Sequence, residues 1–294
     1  MKEIIVANNS GFCFGVKRAV DMALNYPQRT SMRVRTLGPL IHNSDVIRRL
    51  EEHEIHQIGV GNLQDLTDQD AVVIRSHGVT PEIMDRISDC GSVTLDATCP
   101  FVSRIHEKVK EYHSRGYRII IVGDKDHPEV VGIHGWCDNT AIITRDAEDL
   151  LGIELPHKIC VVAQTTERQA VFDAVVEALS GQDREVLAFN TICHATQERQ
   201  RSTAEVSQKV DAMIVIGGKN SSNTKKLFEI STVHCPRTVF VENSRQLPEW
   251  LWLDEGVVRI GVTAGASTPD WVIRDVVAVL QGSESRPSDS CQSD

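Results

Sequence analysis

SGFCFGVKRAV, residues 10–20, follows the apolar run at residues 4–7 and leads into a stretch carrying Lys17 and Arg18. It reads as a strand, a tight turn and a helix, with Cys13 at the turn and Gly11 and Gly15 to either side. Glycine permits backbone conformations and close approaches that a Cβ forbids. Two further stretches repeat the layout: VTLDATCPFVSRIHEKV, residues 93–109, and VLAFNTICHATQERQRS, residues 186–202. Their cysteines, Cys99 and Cys193, extend the series from Cys13 by 86 and then 94 residues (99 − 13, 193 − 99). The chain of 294 residues therefore divides into near-equal thirds.

The repeat continues past the cysteines. LGPLIHNSDVI places His42 29 residues after Cys13, IIIVGDKDHPEVV places His127 28 after Cys99, and AMIVIGGKNSSNTKKL places Ser221 28 after Cys193. One more turn follows in each third: VVIRSHGVTPEIM with His77, CVVAQTTERQAV with Thr165, and IGVTAGASTPDWVI with Ser267. Nine strand–turn–helix junctions result, in three sets of three. The period exceeds that of the usual solenoid repeats, so the expectation is three similar small α/β domains with mainly parallel sheets. In such sheets ligands gather beyond the carboxyl ends of the strands, where all nine turns lie. Pro81, Pro100, Pro128 and Pro269 suit the first helical position, with Thr80 and Thr268 as N-caps before two of them. If the three edges face one point, the cysteines converge in a pseudo-threefold trefoil.

Sparse aromatics (5%) and abundant Val, Ile and Ala suit buried parallel strands. A formal net charge of −10 argues against nucleic acid or an acidic membrane as the partner. No apolar stretch is long enough to span a bilayer, and the first residues lack a signal-peptide pattern. The expectation is a cytoplasmic protein whose eight cysteines are not a disulfide framework. The polar tail after Gln281, with Cys291, reads as disordered.

Three convergent cysteines near helix starts suit a soft metal, because the helix dipole favours thiolate. Zinc would bring a fourth ligand and CxxC pairs, which are absent; an iron–sulfur cube with three cysteines would leave one iron open for catalysis. Cys90, Cys137, Cys160, Cys235 and Cys291 read as packing or incidental residues rather than ligands. The turns GGKNSSNTKK and TAGASTP offer N–H and O–H donors to an anion, and His42, His77 and His127 add charge-assisted donors. Ser221, Ser222, Asn223 and Ser267 read equally as turn formers and caps. Glu129, in HPE at a helix start, reads from its position as a dipole-compensating acid, like Glu82 and Asp270. A reductive chemistry would need a proton donor at that same junction.

GFCFGVKRAV, LGPLIHN, RSHGV, DATCP, DHPEV, QTT, NTIC, KNSSNT and GVTAGASTPD, in this order over residues 11–270, together resemble the LytB (IspH) family of 4-hydroxy-3-methylbut-2-enyl diphosphate reductases. The resemblance implies reductive removal of the hydroxyl of an allylic alcohol diphosphate. The products are isopentenyl and dimethylallyl diphosphate, the last step of the methylerythritol phosphate route. It implies one [4Fe-4S] cluster with an open iron, held by Cys13, Cys99 and Cys193 at the trefoil's centre. It implies diphosphate binding by His42, His77, Ser221, Ser222, Asn223 and Ser267 with His127 alongside, proton delivery by Glu129, and positioning and relay by Thr165. It implies ferredoxin or flavodoxin as electron donor. The first strand of the family completes the last domain, giving domains at 14–95, 96–189 and 1–13 with 190–281, and a tail at 282–294. Phe14 stands where many relatives carry Ala and removes no ligand.

Overall fold

Unbroken apolar runs form the middle of every sheet, and their polar turns set where the functional side chains sit. The computed structural model describes residues 2–41, 43–180 and 184–282. The expected disordered tail and Cys291 lie outside the described residues, apart from Gly282, and so does His42. The chain runs β1 (Glu3–Val6), α1 (Phe14–Asn25), β2 (Arg33–Leu37), α2 (Ser44–Glu52), β3 (His56–Ile58), β4 (Asp70–Ile74), α3 (Pro81–Asp89) and β5 (Val93–Asp96). It continues with α4 (Pro100–Ser114), β6 (Arg118–Val122), α5 (Pro128–Gly135), β7 (Ile142–Thr144), β8 (Lys158–Ala163), α6 (Gln169–Leu179) and β9 (Glu185–Ala188). It ends with α7 (His194–Ser207), β10 (Ala212–Ile216), α8 (Ser222–His234), β11 (Thr238–Val241), α9 (Trp250–Leu253), β12 (Arg259–Ala264) and α10 (Asp270–Leu280).

The described chain forms two compact units. One holds residues 14–41, 45–180 and 184–197; the other holds 2–13, 43–44 and 198–282. The first unit contains two parallel four-stranded sheets, ordered β3-β2-β4-β5 and β7-β6-β8-β9. The second contains one parallel sheet of the same order, β11-β10-β12-β1. Three parallel α/β lobes of one design are thus present. In each, the strand that ends in the repeat cysteine (β5, β9 or β1) lies at a sheet edge beside the strand that ends in His77, Thr165 or Ser267. β1 completes the last sheet, with Glu3 opposite Arg259 and Val6 opposite Val262.

The middle strands read DAVVI, RIIIV, KICVVA and AMIVI because helices cover both faces. Ile119, Ile120, Ile121 and Val122 are all fully buried, and each such side chain contributes about 1.5–3 kcal/mol on burial. α4 buries Val102, Ile105, His106 and Val109, one helical stripe, against β6 and β8. The fourth strand of each lobe, β3, β7 or β11, escaped the sequence reading. These are three- or four-residue edge strands, and HQI in β3 is largely exposed.

Pro81, Pro100 and Pro128 open α3, α4 and α5 as expected, and Thr80 Oγ1 accepts the Ile83 N–H at 3.4 Å. Pro269 and Thr268 depart from expectation. α10 starts at Asp270 with Pro269 at its cap, and Thr268 Oγ1 instead donates to the Ile216 carbonyl at 3.0 Å, tying two turns together. Among the described residues no helix is long and apolar enough to cross a membrane.

Candidate active site

Each repeat cysteine is fixed by the same backbone bond. The N–H of Cys99 donates to Ser76 O at 3.0 Å, that of Cys193 to Thr165 O at 3.0 Å, and that of Cys13 to Ala266 O at 3.2 Å. Ser76, Thr165 and Ala266 are therefore equivalent, and so are the residues after them, His77, Thr166 and Ser267. This corrects the sequence alignment of the turns by one position: Thr166, not Thr165, stands where His77 and Ser267 stand. The second set of turns aligns as expected, because Gly123 and Gly217 donate to Thr144 O and Val241 O in the same way, which makes His127 and Ser221 equivalent.

The glycines around Cys13 answer for their positions. Gly11 has φ of 97°, and a Cβ there would lie 3.0 Å from both Asp270 Oδ1 and Ile273 Cδ1. Gly15 lets α1 lie against another cysteine: a Cβ there would be 2.7 Å from Cys99 Sγ. Arginines clamp two of the cysteine loops. Arg18 of α1 donates to Asp96 O and Thr98 O, both at 3.1 Å, just before Cys99. Arg199 of α7, 2% exposed, donates to Asn9 O at 2.7 Å and Gly11 O at 2.9 Å, just before Cys13. Neither arginine stood out in the sequence.

In the first unit the β6 and β8 turns bring Glu129 and Thr165 together. Glu129 is 2% exposed; its Oε1 accepts the Thr165 N–H at 2.6 Å and its Oε2 accepts the Thr165 hydroxyl at 2.7 Å. An acid that merely offsets a helix dipole stays in water, as Glu82 and Asp270 do. Glu129 is instead an oriented, buried carboxylate. His127 caps α5: its Nδ1 accepts the Glu129 N–H at 3.1 Å, which places a neutral ring's hydrogen on Nε2. The ring of His77 meets that of His127 edge to face, with centroids 5.2 Å apart.

In the second unit α8 begins against the β12 turn. Thr224 packs between Gly217 and Gly265, where added Cβ atoms would lie 2.6 and 2.0 Å from its Oγ1. Ser221 Oγ accepts the Thr224 N–H at 3.3 Å, and Ser222 opens the helix. Counting from Gly123 and Gly217, Asn223 is the counterpart of Glu129. The counterpart of Thr165 is Ala266, which has no hydroxyl to offer. Both polar atoms of the Asn223 carboxamide and the Ser267 hydroxyl accordingly have no hydrogen-bond partner among the described residues, although the side chains are 3% and 8% exposed. Buried polar groups are normally satisfied, so this pair points to a ligand rich in acceptors and donors.

The cysteines sort by environment. Burial pushes the Cys137 thiol up to about 11 and the Cys160 thiol to about 12, and raises Cys235, so all three stay protonated packing residues. Cys13, Cys99 and Cys193 are half-buried, outside any disulfide and at helix starts, and each offers the sulfur donor that an iron–sulfur cluster takes. The close seat of Cys99 against Gly15 is consistent with backbone kept clear for such a group. Among the described residues no three His, Cys, Asp or Glu side chains gather as ligands of one metal ion.

His106 of α4 is a buried neighbour of the site. Its ring stacks on Trp136 at 5.3 Å, and a Cβ on Gly78 would lie 2.5 Å from its Cε1. Burial lowers its pKa to about 4, so it is neutral at neutral pH. Its signal in the sequence was its place on the apolar stripe of α4.

A family model described as "LytB protein" matches residues 4–281. A 4-hydroxy-3-methylbut-2-enyl diphosphate reductase of Clostridium perfringens (strain SM101 / Type A) is 48% identical over 280 residues, 95% of this chain and 99% of that one. A protein of the same name from Clostridium acetobutylicum is also 48% identical over 280 residues, and there the chain spans 44% of the relative's length. The solved structure of (E)-4-hydroxy-3-methyl-but-2-enyl diphosphate reductase, the terminal enzyme of the non-mevalonate pathway, matches with a TM-score of 0.71 at 40% identity, covering 96% of this chain and 100% of that one. The E-1-hydroxy-2-methyl-but-2-enyl-4-diphosphate reductase of Plasmodium falciparum matches with a TM-score of 0.87 at 27% identity, covering 95% and 87%. With nearly its whole length matched by the family model, and with cysteine turns of one design closing each of its three lobes, the chain belongs to the LytB protein family.

Proposed function

We propose that this chain is a 4-hydroxy-3-methylbut-2-enyl diphosphate reductase. It reductively dehydroxylates its substrate to isopentenyl and dimethylallyl diphosphate at the end of the methylerythritol phosphate route. The observation that carries the reading is Glu129, a carboxylate almost without exposure, aimed by two short bonds from Thr165. Such a group is a proton donor and acceptor of fixed position, which dehydroxylation requires. The names of the relatives support the same reaction.

In this reading Cys13, Cys99 and Cys193 hold one [4Fe-4S] cluster with one open iron. When bound, the cluster supplies low-potential electrons and a Lewis-acidic iron. The chain's own residues supply binding, orientation and the proton. His42, His77 and His127 with Ser221, Ser222, Asn223 and Ser267 take the diphosphate, whose remote binding energy orients the reacting carbon. Thr165 holds the carboxyl of Glu129 and lines the path of its proton. The reaction consumes two electrons and two protons and releases water, so a ferredoxin- or flavodoxin-type donor completes it. A reducing cytoplasm is the compartment that keeps these thiols available. Three domains at 14–95, 96–189 and 1–13 with 190–281 belong to this proposal.

The test is anaerobic turnover of the diphosphate by reconstituted protein with reduced methyl viologen. Brown protein should give both isomeric products by mass spectrometry, with two viologens oxidised per product. Colourless protein carrying stoichiometric zinc, or viologen that stays reduced, overturns the reading.

A further inference from the structure

Phe14 is 66% exposed and Phe101 43%, although each follows a repeat cysteine within two residues. Single exposed rings are ordinary, but these two belong to helix starts that meet. Gly15 in the first turn of α1 lies against Cys99, the cap of α4, and Arg18 reaches from α1 to the carbonyls before it. Along the outer face of α1 runs a groove of about 520 Å³, lined by Phe14, Lys17, Arg18, Met22, Tyr26 and Arg29. Asp21 is the one carboxylate in its lining, and Lys17 pairs with it at 2.6 Å. On α4 the exposed Arg104 sits with its guanidinium carbon 5.8 Å over the Phe101 ring. A basic, aromatic face therefore stands on a chain of net charge −10, beside the sulfur of Cys99.

We propose that this face, built from the first turns of α1 and α4, docks an acidic protein that carries one electron at a time. The inference rests on the reductase reading, which needs two electrons from outside. Each docking event would pass one electron from the carrier to the group that the repeat cysteines would hold, and two such events with two protons match the loss of hydroxyl as water. Redox encounters are small, brief and electrostatically steered, which suits an aromatic centre within a cationic rim. The overall acidity of the chain repels an acidic carrier elsewhere, so the local basic face also orients the approach.

The probe is an acidic [2Fe-2S] ferredoxin. Lys17→Glu with Arg29→Glu reverses two charges that hold no cysteine loop. Calorimetric titration of the holoprotein with oxidised ferredoxin at low ionic strength should give a Kd raised roughly tenfold or more. The wild-type Kd should itself weaken with salt, while viologen-driven turnover stays within about twofold of wild type. Lys17→Gln alone, which tests the face should the double variant fold poorly, should weaken binding by roughly threefold. A Kd unchanged in both variants overturns the docking face. Failure of the reductase reading would show separately, as absent diphosphate reduction with viologen, because the binding measurement needs neither substrate nor turnover.

Discussion

Glu129→Gln separates a proton donor from a helix-capping acid. The amide keeps the shape of the carboxylate and can still accept the Thr165 N–H, found at 2.6 Å, through its oxygen. Its NH2 can donate to Thr165 Oγ1, now 2.7 Å from Oε2, if the hydroxyl turns to act as acceptor. What is lost is the charge on two hydrogen bonds. Bonds to charged acceptors contribute about 1.5–3 kcal/mol and neutral ones about 1, so over two bonds the fold loses about 1–4 kcal/mol. A buried general acid is a larger matter for the reaction, typically about 10²–10⁴ in rate, or about 3–5 kcal/mol in the barrier. The assay is anaerobic turnover with reduced viologen, normalised to iron content, with a melting curve alongside. The expected result is full iron content, a melting temperature lower by a few degrees and turnover down at least a hundredfold. Glu82→Gln, an exposed acid at an equivalent helix start, is the control and should change neither. Turnover of Glu129→Gln within about threefold of wild type would refute the assignment and leave Glu129 a cap.

Gly15→Ala places a methyl 2.7 Å from Cys99 Sγ, so it should lower iron per chain and visible absorbance after reconstitution; full iron loading would show that the close approach has no bearing on the cluster. Cys160→Ala removes a fully buried thiol held at about 12, so iron content and turnover should stay at wild type while stability falls by about 1–2 kcal/mol in urea. Loss of iron in that variant would count against a pure packing role. His106 is neutral when folded, with its pKa lowered to about 4, and takes up a proton on unfolding near its ordinary 6.5. The unfolded state then binds more protons between those values, so stability drops as pH is lowered through that window, by about 2 kcal/mol from pH 7 to pH 5. Urea midpoints at the two pH values should show this loss in wild type and a smaller one in His106→Phe; equal losses would place the titration elsewhere.

Several features of the fold could be read directly because buried parallel strands write themselves as unbroken Val and Ile runs. The repeated cysteine turns then divided the chain. β3, β7 and β11 stayed hidden because a three- or four-residue edge strand carries too few side chains to set a period. In QTT, two adjacent threonines look alike on paper; only the bond from Cys193 to Thr165 O decides which one matches His77. The correspondence of Asn223 with Glu129 follows from the same spacing, each 30 residues past its cysteine (129 − 99, 223 − 193), but the two lobes put different chemistry at that backbone position. It explains in one step why Glu129 is satisfied and Asn223 is not: Thr165 faces the first and Ala266 takes its place beside the second. The burial of His106 is legible in its spacing from Val102, Ile105 and Val109, which marks one face of α4.

The pairing of β1 with β12 has a consequence for how the molecule comes into being. Glu3 leaves the ribosome 256 residues before Arg259, its partner in the sheet (259 − 3). At translation rates of about 5–20 residues per second, the first strand waits roughly 13–50 s for its place. Until then the Cys13 turn lacks Ala266, to which its N–H is bound, although Arg199, which grips the carbonyls before it, emerges 60 residues ahead of Arg259 (259 − 199). β1 and the Cys13 turn, made long before their partners, are therefore among the last parts to settle. The Cys13 turn is fixed only when synthesis has passed β12, so under the proposed reading iron loading of all three cysteines follows translation.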